Sequence, residues 1–233
     1  MASPERILVA GGTGGTGRLV VRRLGLLGIP VRILTRGRRR IEGFGAVDVI
    51  QGDVLVEADC RRAIDGCGAV ICAVGRHKTR WHGPSADGDG VINLAHAAKQ
   101  AGARSFILVS ALGVGDSWQW VPLPAQWLLR LLDLPPLLRE KARSEEFVRS
   151  SGLAWTILRP GFLHGWRMRS EPVLAVTGRV PGICGRQAVA DAAVRCLSAE
   201  NARGQVLTIA DGWLRPWLRD VNLYRLAASW APW

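Results

Sequence analysis

The chain has a single tyrosine, Tyr224, among its 233 residues, and of its 31 basic residues only Lys78, Lys99 and Lys141 are lysines. Acids are scarce too, since 19 carboxylates leave a formal net charge of +12. The five cysteines (Cys60, Cys67, Cys72, Cys184 and Cys196) are odd in number and contain no C-x-x-C pair. That pattern argues against a disulfide framework and a zinc ribbon, and for a reducing compartment. No run reaches the roughly 18 uninterrupted apolar residues of a membrane span, and no charged-then-apolar leader is read ahead of Ile7-Leu8-Val9-Ala10. The spacing of His, Cys and acids suggests no metal site. A cytoplasmic protein is the expectation.

What the chain does have is apolar residues, 48% of the total, which is enough for one sizeable core. Short apolar runs alternate with helical patterns. Strands are expected at Ile7 to Ala10, Val31 to Thr35, Val47 to Ile50, Ala69 to Val74, Phe106 to Ser110, Trp155 to Leu158 and Val206 to Ala210. Val20, Leu24 and Leu27 line one intervening helix and Val91, Leu94, Ala95 and Ala98 another, with Gly102 and Gly152 placed as helix C-caps. This is the pattern of an α/β fold, a Rossmann-type doubly wound parallel sheet, forming a single domain over 1–233 with a small C-terminal extension on the substrate side. Substrate-side segments are expected at about 113–138 and 162–185 and in the tail 212–233. Within the first, Trp118, Trp120 and Trp127 sit among Pro122, Pro124, Pro135 and Pro136, as a covering lid or a proline-bounded core helix, with an interfacial membrane helix third because the segment is short and has few basic residues.

Residues Arg6 to Gly17 read R-I-L-V-A-G-G-T-G-G-T-G, a strand running into glycines that open a helix. The loop satisfies G-x-G-x-x-G through Gly12, Gly14 and Gly17, and G-x-x-G-x-x-G through Gly11, Gly14 and Gly17. Absent side chains at Gly11, Gly14, Gly15 and Gly17 let a pyrophosphate approach the backbone and meet the N-terminal N–H groups of the helix, with Thr13 and Thr16 as added hydroxyl donors. Where an NAD-binding domain places an acid about 20 residues on, this chain has Arg36, followed by Arg38, Arg39 and Arg40. Guanidinium groups there suit a 2′-phosphate, which a carboxylate would repel, so NADP(H) is expected as cofactor, with Arg36 and Arg38 as phosphate contacts. Nine arginines and one acid within residues 1–40 also invite nucleic acid, but no recognition-helix or aromatic sheet motif accompanies them, and no nucleic-acid partner is expected.

Taken with Gly52-Asp53-Val54, the segment V-I-N-L-A-H-A-A-K-Q-A-G-A-R-S-F-I-L-V-S-A-L-G and the segment S-G-L-A-W-T-I-L-R-P-G, the loop gives a specific match over roughly residues 6–211. The chain resembles the atypical short-chain dehydrogenase/reductases of the NAD(P)-binding, NmrA-like branch, which includes flavin and biliverdin reductase-like proteins. The resemblance implies that Asp53 and Val54 border the adenine, with an N-cap role for Asp53 as the structural alternative. It also implies that Ala73, Val74 and Gly75 pass beneath the adenine ribose, that Lys141 contacts the nicotinamide ribose unless it is an exposed helical lysine, and that Pro160, Gly161 and Phe162 lie near the carboxamide. Ser110 closes the fifth strand at the ligand-binding edge, where it can polarise a carbonyl.

The chain departs from the family where its typical members carry a proton-donating tyrosine four residues before the lysine; here that residue is Leu137. His164 is the replacement acid suggested by position, ahead of His77 and His82. Indole walls from Trp118, Trp120, Trp127 and Trp166 suit a planar aromatic substrate. In the tail, Leu214, Leu218, Val221 and Leu226 have the spacing of a helix that packs on the body or on a second subunit, so the chain is expected as a monomer or homodimer. The expected activity is NADPH-dependent hydride transfer to a planar ketone, quinone or flavin-like molecule. Two alternatives are a non-catalytic NADP(H) sensor and a non-redox enzyme on the same fold.

Overall fold

The structure is a computed structural model that describes residues 5–37, 47–75, 83–131, 133–165, 172–177, 182–211 and 222–226. In chain order the elements are β1 Arg6–Ala10, α1 Gly15–Leu26, β2 Val31–Thr35, β3 Val47–Gln51, α2 Glu57–Ile64, β4 Cys67–Cys72, α3 Val91–Gln100, β5 Ser105–Val109, α4 Leu123–Leu131, α5 Pro135–Ser150, β6 Trp155–Pro160, β7 Phe162–His164, β8 Val173–Thr177, β9 Ile183–Gly185, α6 Arg186–Cys196, β10 Gln205–Ala210 and β11 Asn222–Tyr224. Among the described residues, nine strands form one sheet in the order β11-β8-β10-β6-β5-β4-β1-β2-β3. From β10 to β3 every neighbour pair is parallel, while β8 is antiparallel to both β10 and β11. The order reverses between β1 and β4, and such a switch point opens a crevice at the carboxyl ends of the strands.

The strands are apolar on both faces because helices cover both. One core joins Val9, Ile33, Ile71 and Ile107 to Val20, Val21 and Leu24 of α1 and to the alanine-rich face of α6. The other joins Leu8, Val70, Phe106 and Ile157 to α2, α3 and Val148 of α5. Small residues at Ala188, Ala192 and Ala193 let α6 lie close to the sheet beside α1, and parallel topology starts both helices at the carboxyl edge. Gly102 and Gly152 follow α3 and α5 with φ of +69° and +80°, as their C-cap placement requires.

Two expectations change. The tail does not continue as a helix over its described part, where Asn222–Tyr224 pairs as strand β11 with the apolar run V-L-A-V-T of β8. The open edge beyond β10 needs backbone partners, and that demand outweighs the helical spacing of the leucines. Residues 212–221 and 227–233, with Trp213, Trp217, Trp230 and Trp233, lie outside the described residues. In α4 only Leu129 is buried, while Trp127 is 70% and Leu131 83% exposed, which overturns the core-helix reading of that stretch. Pro135 and Pro136 instead open α5, where missing N–H groups cost nothing. No described helix is long and apolar enough to cross a membrane.

Candidate active site

β1 delivers the chain into the glycine loop at the switch point. Gly11 has φ +80°, and a β-carbon there would meet the Ala73 carbonyl oxygen at 2.5 Å. One on Gly17 would meet the Gly11 carbonyl oxygen at 2.1 Å, and one on Gly14 would stand 3.2 Å from the same atom. The turn closes on itself, with the Gly14 N–H donating to Gly11 and the Ala73 N–H donating to the Ala10 carbonyl. No side chain caps α1 and no acid occupies its first turn, so its N-terminal donors and positive dipole end are left for an anion. This cradle fits a dinucleotide pyrophosphate on the geometry of its own backbone. Thr16 is buried, Thr13 half-buried and Gly15 exposed.

Arg36 stands exposed one residue beyond β2, and none of the carboxylates among the described residues pairs with it. Arg38, His77, His82 and Trp166 lie outside the described residues. The N-cap reading of Asp53 is corrected: α2 starts at Glu57, and Asp53 Oδ1 instead accepts the Leu55 N–H at 3.0 Å, closing a local turn. The Val54 side chain packs against Gly90, where a β-carbon would lie 2.6 Å from it, and the Val54 carbonyl accepts from Asn93 Nδ2 at 3.1 Å. Ala73 and Val74 are half-buried and Gly75 is exposed just past β4.

The other side of the crevice is built from side chains. Ser110 Oγ donates to Glu145 Oε1 at 2.5 Å. The same carboxylate, 2% exposed, takes Arg159 Nε at 3.1 Å and Nη2 at 2.6 Å, and Arg159 Nη1 reaches Asp116 at 2.6 Å. Burial alone would lower the Arg159 guanidinium, but its hydrogen bonds and charge pairing with Glu145 hold it above the ordinary value. Ser110 therefore spends its hydrogen on a buried carboxylate rather than pointing it at a carbonyl. Its polarising role, expected from position, would require that bond to break.

Lys141, one helical turn before Glu145 on α5, pairs with Asp87 at 2.6 Å; the two side chains are 13% and 2% exposed. That geometry overturns the exposed-lysine alternative. Leu137, at the position where the resemblance leads one to expect a tyrosine, is half-buried. Tyr224 does not substitute for it, since it lies on the outermost strand and donates to the Asn201 carbonyl. His164 ends β7, and its Nε2 lies 2.6 Å from Oδ2 of the buried Asp211, whose Oδ1 accepts the Gly185 N–H at 2.8 Å. The Pro160-Gly161-Phe162 turn is pinned by the Leu112 N–H on the Pro160 carbonyl and by close approach of Gly161 to Gly182, leaving Phe162 exposed. All five thiols are buried; burial pushes Cys60, Cys72 and Cys196 up to about 12 and raises Cys67 and Cys184, so none is a nucleophile near neutrality. Among the described residues no three His, Cys or acids gather as a metal site.

Glu145, Arg159 and Asp211 were not foreseen. One signal was available: Arg159 interrupts the apolar run Trp155 to Leu158, and a charge inside a buried strand demands a partner. Nothing local in the sequence identifies that partner as Glu145.

Cradle, sheet order and carboxyl-edge side chains together define a dinucleotide-binding protein, and the chain belongs to the NAD(P)H-binding family, whose model matches residues 11–200. It is 29% identical over 207 residues to a (4-alkanoyl-5-oxo-2,5-dihydrofuran-3-yl)methyl phosphate reductase of Streptomyces griseus, covering 88% of this chain and 63% of that protein. It is also 29% identical to the photosystem II assembly factor Ycf39 of Synechocystis, over 69% of this chain and 46% of the factor. The chain thus spans less than two thirds of either relative. Among solved structures, the anaerobilin reductase ChuY of Escherichia coli O157:H7 superposes with a TM-score of 0.76 at 23% identity, over 88% of this chain and 97% of that one. A short-chain dehydrogenase/reductase of Veillonella parvula solved with NADP gives 0.74 at 17%, over 89% and 94%. These two share the fold.

Proposed function

We propose that the protein is an NADPH-dependent reductase of a small planar carbonyl, quinone or flavin-like compound. The observation that carries the reading is the backbone cradle at Gly11 to Gly17, lying at the same sheet edge as Ser110, Lys141 and His164. Gly11, Gly14 and Gly17 would hold the pyrophosphate, Arg36 and Arg38 the 2′-phosphate, Lys141 the nicotinamide ribose, and the Pro160 to Phe162 turn the carboxamide. When bound, the dinucleotide supplies a hydride.

The chain's own part is orientation and proton delivery. Asp211 fixes the His164 ring through Nε2, holding the imidazole in one orientation as a general acid at that edge would need. Ser110, tied to Glu145 and Arg159, shapes the floor of the crevice as a rigid acceptor. Of the described indoles on the substrate side, Trp118 and Trp120 are half-buried and Trp127 is exposed. The Streptomyces relative's reductase name supports this class of reaction.

The test is NADPH oxidation by purified protein with a panel of quinones, flavins and aromatic ketones. Turnover that falls at least about tenfold in His164→Ala, with NADPH affinity kept, is the expected result; full activity in that variant removes His164 as the acid.

A second reading is favoured by Leu137 and by the engaged Ser110 hydroxyl: an NADP(H) sensor whose occupancy sets affinity for a protein partner. The assembly-factor name of the Synechocystis relative supports it. Tight NADPH binding with no oxidation by any acceptor would select this reading.

A further inference from the structure

Arg186 is the first residue of α6, placed beside α1 at the carboxyl edge. A β-carbon added to Gly15, the first residue of α1, would come within 3.0 Å of Arg186 Nε and 3.1 Å of its Cδ. One added to Gly165, directly after His164, would lie 4.0 Å from Arg186 Nη1. The half-buried guanidinium therefore bridges from the glycine loop to the strand that carries His164.

Of the other arginines at comparable depth, Arg6 and Arg32 meet Asp48, Arg23 meets Asp191 and Arg159 meets Glu145. Arg195, away from the glycine loop at the far end of α6, has no acid partner among the described residues. For Arg186, the described residues supply neither an ion pair nor a hydrogen-bond acceptor. Neither α1 nor α6 has an acid in its first turn, and Asp211, at the start of α6, is engaged by the Gly185 N–H and His164. The Asp211 to Gly185 bond fixes the backbone immediately before Arg186, and with it the origin of the side chain. Two positive helix ends and an unpaired guanidinium thus meet at one point, beside a loop stripped of side chains. An anion completes that arrangement.

We propose that Arg186 closes the phosphate cradle from the neighbouring helix, its guanidinium contacting the pyrophosphate of the bound dinucleotide. The inference rests on the dinucleotide reading above and adds a residue that lies far from the glycine motif in sequence. It also explains how the cradle binds an anion with no charged residue inside the loop itself.

The test compares wild type, Arg186→Gln and Arg186→Lys by calorimetric titration with NADPH, NADH and adenosine 2′-monophosphate, which carries the 2′-phosphate but no pyrophosphate. Thermal unfolding of each protein accompanies the titrations. Arg186→Gln should weaken NADPH and NADH alike, by about 10- to 100-fold, the range for a lost charge-assisted hydrogen bond. It should leave adenosine 2′-monophosphate binding and the melting temperature unchanged, and Arg186→Lys should recover part of the loss. Unchanged dinucleotide affinity in Arg186→Gln overturns the proposal. So does an equal loss for adenosine 2′-monophosphate, which marks a damaged loop. Intact dinucleotide affinity with a raised KM for an acidic acceptor overturns it as well, by assigning Arg186 to the substrate. Wild-type protein that binds neither dinucleotide overturns the cofactor reading itself, a result distinct from failure of the Arg186 assignment alone.

Discussion

At the glycine loop the decisive groups are the ones that are missing: Gly11 and Gly17 let the chain fold onto Ala73 and onto itself at distances no β-carbon permits. Across the crevice the reverse holds, and Ser110, Glu145, Arg159 and Asp116 form a continuous run of paired polar side chains, most of them buried. The first region is assembled from seven consecutive residues, the second from four positions spread over 50. A local loop can be read from local sequence, whereas a network joined by tertiary contacts depends on every element that carries it. The two regions should therefore fail differently when altered, the first in binding and the second in folding.

The largest stability effect belongs to the network. Glu145→Ala would leave the Arg159 charge buried with only Asp116 to meet it, and a loss of about 3–5 kcal/mol is expected from denaturant unfolding. The double variant Glu145→Ala with Arg159→Met removes the orphan charge and should recover a good part of that loss. If Glu145→Ala unfolds like wild type, the network is not a structural tie.

Next is Gly17→Ala, whose added methyl would collide with the Gly11 carbonyl. A fall in NADPH affinity of about 100-fold or more is expected in titrations by tryptophan quenching, from displacement of the whole turn. Retained affinity would mean the cradle is not where the pyrophosphate binds.

A smaller and more selective change is expected from Arg36→Asp, which replaces a phosphate partner with a repelling charge. NADPH binding should weaken by about 10- to 100-fold while NADH binding changes little. Equal losses for the two cofactors would remove Arg36 from the 2′-phosphate.

The smallest effect is on the surface. The Arg143 guanidinium, by its hydrogen bond to Asp89, holds that carboxyl below the usual carboxylate range. A carboxyl lowered in the folded state stabilises above its ordinary pKa and loses that contribution as pH falls through the folded value. Arg143→Ala should therefore cost a few tenths of a kcal/mol at neutral pH, about the worth of an exposed pair, and nothing in strong acid. A deficit that instead grew on acidification would contradict the pairing.

Sequence reasoning located the seven parallel strands of the main sheet to within a residue or two, because short apolar runs between glycine turns have few other uses in a chain this long. It missed β8 and β11, which exist to cover an edge, a need that arises only once the sheet has formed. The cradle was legible for the same reason that glycine is rarely interchangeable. Lys141 and His164 were visible as residues, but their acids were not: Asp87 lies 54 positions before Lys141 and Asp211 lies 47 after His164, and no periodicity links such pairs. Arg186 was invisible for a similar reason, since only the packing of α6 on α1 brings it to Gly15.

The central proposal is that this crevice transfers a hydride without a tyrosine at the Leu137 position. It is tested most directly by supplying NADPH deuterated at one or the other face of nicotinamide C4, with planar aromatic ketones as acceptors, and weighing the alcohol formed. The account predicts one deuterium in the product from one of the two labels and none from the other. NADPH that binds tightly but passes no deuterium to any acceptor, with no loss of the reduced nicotinamide, would contradict it.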